Sequence, residues 1–186
     1  MEGKIVFTGK SQKGKQIILR YVKQGDAQTM LDYINTLSDE RTYIRFQGEH
    51  LTLKEEQEYL DSQLKRIKDK KSVHLVALSN NQHIGISSID LEDRTSSHVG
   101  NFGISISKEF RGEGVGKLLM ETIVSEAQKE LPGLKIITLG CFSNNALAIK
   151  MYKEFGFVEY GRLPNGVKLE NGFVDHIYMY KNISNQ

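Results

Sequence analysis

The sequence lacks the features that mark disulfide-rich, secreted or membrane-spanning proteins. Among 186 residues there is one cysteine, which excludes an internal disulfide, and we expect Cys141 to be a buried thiol in a reducing compartment. No stretch approaches the roughly 20 apolar residues that span a bilayer, and no apolar run of the signal-peptide kind follows Met1. These absences predict a cytoplasmic protein with no membrane partner.

The net charge is also too small to indicate binding to a polyanion, and the histidines are too scattered to indicate a metal site. The formal net charge of +2 gives no argument for nucleic acid, and the five histidines lack the spacing of metal ligands. We therefore expect no nucleic-acid partner and no metal. With 39% hydrophobic and 26% charged residues in a chain of this length, the composition favours a single globular domain over residues 1–186.

What the chain does contain is a succession of strand and helix patterns typical of a mixed α/β domain. Helices are predicted to begin at Asp26, at Thr52 with a capping box to Glu55, at Val115 and at Asn145. We expect the loops 41–51 and 164–172 to carry any substrate specificity. Strands are predicted over 4–8, 16–22, 73–78, 83–90, 98–107, 135–142, 157–163 and 173–180.

A glycine-rich turn joins one of these strands to the third helix, with the sequence Arg111-Gly112-Glu113-Gly114-Val115-Gly116-Lys117. Its glycines let the backbone curl and leave no side chain between the N–H groups and a ligand. The free N–H groups and the dipole at a helix start favour a phosphate anion, and Lys117 adds a positive charge. The turn is therefore a candidate phosphate site.

Two familiar phosphate loops fit this turn poorly. A Walker loop would have glycine at 111 and serine or threonine at 118, where the chain has Arg111 and Leu118. A dinucleotide fingerprint would place its third glycine at Lys117 and an acidic residue at the end of the next strand, where Phe142 lies. Nucleotide hydrolysis and dinucleotide binding are thus both disfavoured.

A second motif follows on the fourth helix. Asn145, Ala148 and Tyr152 share one helical face, because seven residues make nearly two turns. Ala148 leaves room for a ligand to pass, and Tyr152 projects a hydroxyl from the same face. The alternative is an amphipathic helix in which Tyr152 serves only for packing.

The two motifs together resemble the GNAT acetyltransferase superfamily. Arg111-x-x-Gly114-x-Gly116 looks like its acetyl-CoA loop, and Asn145-x-x-Ala148-x-x-x-Tyr152-x-x-x-Gly156-Phe157 is similar to its second cofactor motif. The likeness covers residues 101–157, whereas the first 70 residues match only in layout. The closing segment, from Gly161-Arg162-Leu163 to Asp175-His176-Ile177-Tyr178-Met179, resembles the branch of ribosomal-protein-alanine acetyltransferases.

The resemblance implies both a fold and an activity. The fold would be a central, mostly antiparallel, twisted sheet of about six to seven strands flanked by helices, with an N-terminal β-hairpin. The activity would be direct transfer of an acetyl group from acetyl-CoA to a primary amine, on a small molecule or a protein N-terminus. Exposed edges in the closing strands would also permit a homodimer.

The resemblance also implies roles for single residues. Backbone groups of Ile104, Ser105 and Ile106 would pair with pantetheine, and an N–H near Ile106 would face the thioester oxygen. Asn145 would bond the pantetheine amides, and Tyr152 would protonate the leaving thiolate, a transfer that a phenol pKa near 10 makes plausible. The pyrophosphate would be held by the loop, with Arg111, Gly112, Gly114, Val115, Gly116 and Lys117.

One expected group is missing. Where many relatives carry a glutamate as general base, this chain has Asn101, and an amide cannot take a proton at neutral pH. Asn101 would position a water or the substrate while a nearby carboxylate relays the proton. The carboxylates left open for the proton relay are Asp90, Glu92 and Glu49.

A weak base predicts a preference for α-amines. About one α-amine in seven is neutral at pH 7, against about one lysine-type amine in 2,500.

Two other functions remain open on the sequence alone. The chain could be a CoA-binding sensor that does no chemistry, which the absence of a glutamate at 101 favours and the presence of Tyr152 disfavours. It could also transfer a longer acyl group, which depends on the space beside Ala148.

Overall fold

A computed structural model describes residues 1–183 and contains one sheet of eight strands and four helices. The order of strands across the sheet is β1-β2-β3-β4-β5-β6-β8-β7. The strands are β1 (Ile5–Lys10), β2 (Gln16–Tyr21), β3 (Ser72–Ser79), β4 (Gln82–Leu91), β5 (Val99–Ile106), β6 (Ile136–Phe142), β7 (Val158–Leu169) and β8 (Gly172–Asn182). The helices are α1 (Ala27–Asp39), α2 (Leu53–Lys68), α3 (Val115–Glu130) and α4 (Ala146–Glu154).

The architecture confirms the predicted mixed α/β fold and extends its sheet to eight strands. The N-terminal hairpin belongs to the main sheet, because β2 pairs with β3 from Ile18 and Leu78 to Tyr21 and Leu75. The prediction of a single domain over 1–186 includes residues 184–186, which lie outside the described residues.

The predicted loop 164–172 is mostly strand. β7 continues past Pro164 to Leu169, with an irregularity in its register between Leu163 and Val167, and turns directly into β8. Proline is tolerated there because β7 is the outer strand of the sheet and needs no N–H donor on its open side. The turn signals around Pro164 therefore mark a bulge and not the end of the strand.

All neighbouring strands are antiparallel except β5 and β6. A parallel pair needs a long crossover connection, and α3 provides it. The glycine-rich turn lies where β5 gives way to this helix, so the fold itself places the start of α3 beside the end of a central strand.

The helices cover both faces of the sheet. On one face, Tyr33 of α1 bonds Ser105 and the ring of Tyr59 on α2 contacts that of His74. On the other face, α3 packs over the central strands with Leu119, Met120 and Ile123, all fully buried. None of the helices in the described part of the chain is long and apolar enough to cross a membrane.

Helix starts follow the sequence closely. Thr52 and Glu55 form the predicted capping box of α2. The Asn145 side chain accepts a hydrogen bond from the backbone N–H of Ala148 and so caps α4. These local bonds satisfy N–H groups that a helix leaves free, and they fix where each helix begins.

Candidate active site

A gap opens in the middle of the sheet between β5 and β6. Within the described residues the two strands pair only from Val99 and Ile136 to Asn101 and Thr138. Beyond that point β5 continues to Ile106 on the side of β4, while β6 continues to Phe142 on the side of β8. The second half of β5 therefore presents backbone groups toward the gap, where an extended ligand can bond as a neighbouring strand would.

The predicted pantetheine contacts Ile104, Ser105 and Ile106 all lie in this second half of β5 and are partly exposed. The structure thus brings them together at the gap, next to the glycine-rich turn. The Ser105 hydroxyl is already bonded to Tyr33 at 3.0 Å, and the Ile106 carbonyl accepts a hydrogen bond from Arg111 at 2.9 Å.

The glycine-rich turn has the backbone conformation that only glycine adopts readily. Gly112 and Gly114 have φ angles of +71° and +79°, in the left-handed region. Gly114 is the N-cap of α3 and, unlike Thr52 and Asn145, gives the helix no side-chain bond. The first N–H groups of α3 are therefore free of a side-chain acceptor and available to an anion.

The charge at the start of α3 also favours an anion. The first turn of α3 contains no acidic residue, but it does contain Lys117. A cation at the positive end of a helix dipole is unfavourable by itself, and a bound phosphate group would remove this cost. Val115 contributes only backbone here, because its side chain is buried in the core at 1% exposure.

Gly116 lies where β5, α3 and α4 come together. Its φ angle is not in the left-handed region, so the conformation alone does not require glycine. A Cβ added there would lie 3.7 Å from Ile106 and 3.9 Å from Met151 of α4. The residue therefore keeps side-chain atoms out of the space where β5, α3 and α4 converge.

Arg111 is occupied by protein partners. One Nη atom lies 2.6 Å from the carboxylate of Glu40 at the end of α1, and Nε donates to the carbonyl of Ile106. The guanidinium thus ties the turn to α1 and β5. Glu40 carries no sequence signal for this role, because it lies 71 positions away in a polar helix end.

Asn145 caps the start of α4, and Tyr152 lies near the end of the same helix. The Asn145 side-chain oxygen is used as the cap of α4, which leaves its NH₂ group as the part free to donate. Tyr152 is 7% exposed, and its ring packs edge-on against Phe102 of β5 at 6.1 Å. The packing role considered from the sequence is therefore real.

Burial raises the pKa of the Tyr152 phenol well above its usual value, and the nearby Cys141 thiol adds to the effect. The phenol is accordingly protonated at neutral pH and can donate. The same effect widens the difference in pKa between this phenol and a thiol near 8.5, so complete proton transfer is less favourable than the sequence suggested.

Asn101 lies at the base of the gap, on the face covered by α1 and α2. Its cross-strand neighbour on β4 is Asp90, a partly buried carboxylate 3.2 Å from Nε of Arg66. Glu49 is exposed and folds back on its own loop, where a hydrogen bond from the Gln47 backbone lowers its pKa. Of the three carboxylates left open by the sequence, Asp90 is thus the one adjacent to Asn101.

Several contacts at the site had no signal in the sequence pattern. Tyr33 of α1 is 5% exposed and reaches Ser105, although the sequence analysis gave it no role. A groove of about 570 Å³ also lies on α4, away from Tyr152. Its lining, which includes Ser143, Ala146, Lys150 and Lys153, shares no residue with the predicted site.

Within residues 1–183 no cluster of three or more His, Cys, Asp or Glu residues could hold a metal ion.

Comparison with known proteins points in the same direction. A sequence model described as the acetyltransferase (GNAT) family matches residues 33–157. An L-amino acid N-acetyltransferase of Escherichia coli K12, AaaT, is 35% identical over 117 residues, which are 61% of this chain and 71% of that protein. A spermine/spermidine N(1)-acetyltransferase of Bacillus subtilis 168 is 34% identical over 79 residues, or 42% of this chain. The matched part spans about half of the spermine/spermidine enzyme, 51% of its length.

Solved structures share the fold over nearly the whole chain. A GNAT acetyltransferase of Streptococcus pneumoniae has a TM-score of 0.82 at 28% identity, covering 90% of this chain and 99% of that protein. The ribosomal-protein-alanine N-acetyltransferase of Brucella melitensis gives 0.77 at 21% identity over 89% of this chain and 99% of its own. The yncA protein of Salmonella typhimurium, solved with acetyl-CoA, gives 0.77 at 16% identity over 91% and 95%. The last two likenesses concern the fold alone.

Proposed function

The chain belongs to the GNAT acetyltransferase family, and from this membership we propose that it transfers an acetyl group from acetyl-CoA to a primary amine. In this reaction the amine nitrogen bonds to the acetyl carbon as the carbon–sulfur bond breaks. One proton leaves the amine and one is gained by the departing sulfur. The observation that carries the proposal is that the uncapped start of α3 lies beside the open half of β5, with Tyr152 packed against Phe102 of the same strand.

Each side of the gap has a binding role in this proposal. The backbone of Ile104 to Ile106 orients the pantetheine arm, and the NH₂ group of Asn145 bonds it from α4. The N–H groups from Gly112 to Lys117 hold the pyrophosphate. Arg111 supports the turn through Glu40 and Ile106 and does not act as a direct phosphate ligand. Its two protein contacts support this assignment.

Tyr152 is proposed as the donor to the departing sulfur. Its raised pKa keeps the phenol protonated, and its burial removes competing water. Because the phenol is a weaker acid than in water, we assign it a hydrogen bond that stabilises the thiolate, followed by proton transfer as the product leaves.

Asp90 is proposed to accept the proton of the amine, with Asn101 orienting the amine or a bridging water. The cross-strand position of the two residues supports this division of roles, since an amide orients and a carboxylate accepts. The ion pair with Nε of Arg66, at 3.2 Å, holds the Asp90 carboxylate in place.

The acceptor is proposed to be an α-amine or another amine of low pKa. Catalysis by a weak base depends on the fraction of amine already neutral at pH 7, which is about 350-fold greater for an α-amine than for a lysine-type amine. A low pKa of this kind belongs to the α-amine of a peptide or protein N-terminus. The AaaT relative is named for L-amino acids, whose free α-amines are more basic, so its name supports the α position and not the low pKa. The relative named for spermine and spermidine argues for the other class, so polyamines belong in the test.

The first experiment is calorimetric titration of the purified protein with acetyl-CoA, with ATP and NAD as controls, followed by an amine panel. We expect selective binding of acetyl-CoA and faster turnover of a peptide with a free N-terminus than of spermidine at saturating acceptor. Binding without turnover of any amine would identify a CoA sensor instead. A folded protein that does not bind acetyl-CoA would refute the proposed activity, and faster turnover of polyamines would refute the acceptor class.

Three expectations from the sequence remain proposals: a cytoplasmic location, no nucleic-acid partner and a homodimer. The outer strand β7 supports the dimer, because it exposes Val158, Tyr160 and Leu163 to more than half of their free area. An open strand edge can pair with the same strand of a second copy. Sedimentation equilibrium would decide, with a monomer at every concentration ruling out the dimer.

A further inference from the structure

The turn between β1 and β2 is fastened to the glycine-rich turn from about 100 residues away in sequence. The Ser11 hydroxyl donates to one carboxylate oxygen of Glu113 at 2.9 Å, and Nζ of Lys15 donates to the other at 2.7 Å. Glu113 is only 1% exposed. A carboxylate buried to this extent needs partners, and the hairpin supplies them.

Further contacts join the same two segments. The backbone N–H of Gln12 donates to the Glu113 carbonyl at 3.0 Å, and the Gln12 side chain lies against Gly114, 3.0 Å from where a Cβ would be. Lys15 also donates to the carbonyl of Glu109 at 3.2 Å, and its Nζ lies 4.1 Å from the ring centroid of Phe110. The hairpin turn thus contacts the loop through backbone, side chain and charge.

The same hairpin is fastened to the far end of α3 by a second buried glutamate. Glu126 is 5% exposed, accepts from the Tyr21 hydroxyl at 3.2 Å and lies 3.5 Å from Nζ of Lys4. The two glutamates are alike in burial and in their hairpin partners. Only Glu113 lies beside the proposed phosphate site, so the chain contains its own matched comparison.

We propose that Ser11 and Lys15 are positioning residues which, through Glu113, hold the glycine-rich turn in the conformation that binds acetyl-CoA. This inference rests on the proposed function of that turn. A segment with glycine at 112, 114 and 116 has unusual backbone freedom, and ordering it on binding would weaken affinity. Contacts that order it beforehand remove this loss. The hydrogen bond from Lys15 also lowers the pKa of Glu113, so the carboxylate is charged at neutral pH.

The test compares Lys15→Met, Ser11→Ala and Glu113→Gln with Glu126→Gln. In the protein without ligand, hydrogen–deuterium exchange of a peptide over 109–118 is expected to speed up for the first three variants only. Calorimetry is expected to give a Kd for acetyl-CoA about tenfold higher for Lys15→Met and Glu113→Gln, and a smaller increase in Kd for Ser11→Ala. The KM for acetyl-CoA should rise in parallel, while for Lys15→Met and Ser11→Ala kcat and the KM for the amine stay within about twofold.

The outcomes separate this inference from the proposed function. If the natural sequence does not bind acetyl-CoA, the proposed function fails, and the exchange data still report whether the hairpin orders the loop. If it binds and Lys15→Met shows unchanged exchange and Kd, the positioning role is refuted. Equal weakening by Glu126→Gln would also refute it, because a general loss of stability would then be the cause. Ser11→Ala removes one hydroxyl, which donates to Glu113 and accepts from the Lys15 backbone, and keeps the test open should Glu113→Gln fail to fold.

Discussion

Asp90 and Asn101 are cross-strand neighbours on β4 and β5, so a carboxylate and an amide lie side by side on one face of the sheet. Asn101 is also the last residue of β5 paired with β6, opposite Thr138. The carboxylate is therefore one strand away from the point where the sheet opens. In this chain β5 has an amide at that point, and the adjacent strand has the acid.

If Asp90 accepts the proton of the amine, Asp90→Asn should lower kcat about 100-fold at pH 7. The loss should shrink at pH 9.5, where more of the acceptor is neutral and less depends on a base. The Kd for acetyl-CoA should not change, because Asp90 lies on the face away from α4. Steady-state kinetics at both pH values, with calorimetry at pH 7, provide the measurement.

Glu92→Gln is the matched control, since it removes an exposed carboxylate two residues further along the same segment. We expect it to leave kcat unchanged. An equal loss for both variants, or none for Asp90→Asn, would exclude Asp90 as the proton acceptor.

Tyr152→Phe should separate the packing role of this residue from its chemical role. Phenylalanine keeps the ring between Phe102 and Phe157, so the fold and the Kd for acetyl-CoA should be preserved. Loss of the hydroxyl should lower turnover about 100-fold or more. Tyr160→Phe, which removes an exposed hydroxyl on β7, should have no effect. Unchanged turnover in Tyr152→Phe would remove this residue from the mechanism.

Much of the fold could be predicted because local physics decides it. Period-2 and period-3.6 patterns located the eight strands and four α-helices found within residues 1–183, and the capping box at Thr52 fixed the start of α2. The glycine-rich turn was visible for the same reason, because a left-handed backbone at Gly112 and Gly114 leaves a direct mark on residue type.

The remainder depended on contacts between distant segments. Nothing in the local pattern around Arg111 indicates Glu40 as its partner, and nothing around Glu113 indicates the hairpin turn. Asp90 could be named as a candidate base but not chosen, because the choice follows from the register of β4 against β5. The end of β7 was missed for a similar reason, since only the sheet order shows that Pro164 lies on an outer strand.

Gly116→Ala should reduce cofactor binding without reducing stability. The conformation of Gly116 suits alanine, and alanine is the better helix former, so the free energy of unfolding should stay equal or rise by up to about 1 kcal/mol. The added methyl group would enter the space between Ile106 and Met151, and the Kd for acetyl-CoA should rise at least about tenfold. Urea unfolding and calorimetry measure the two quantities.

Gly112→Ala is the contrasting variant. Its φ of +71° is strained for any side chain, so this change should lower the free energy of unfolding by about 1 kcal/mol. If Gly116→Ala lowers the free energy of unfolding as Gly112→Ala does, the conformation of Gly116 does not suit alanine. If Gly116→Ala binds acetyl-CoA with an unchanged Kd, the space beside Gly116 does not receive the ligand.

His74 should make stability depend on pH. Its side chain is fully buried on β3, and among the described residues neither ring nitrogen has a hydrogen-bond partner. Burial lowers its pKa from 6.5 to about 4. Above pH 6.5 both folded and unfolded chains hold a neutral imidazole, so His74 adds no pH dependence there. Between pH 6.5 and 4 the unfolded chain binds a proton that the folded chain does not, and the free energy of unfolding must fall.

The loss should approach about 1.4 kcal/mol per pH unit and reach roughly 3 kcal/mol near pH 4. His74→Leu removes both the proton site and a buried N–H without a partner, so the variant should be more stable at pH 8 by about 1 kcal/mol and increasingly so as the pH falls. Urea unfolding from pH 8 to 4.5, taken as the difference between the two proteins, isolates His74 from His83 and the carboxylates. His98→Leu, at an exposed position, serves as the control. A difference that stays constant with pH would mean that His74 gains a proton as readily in the folded chain as in the unfolded one.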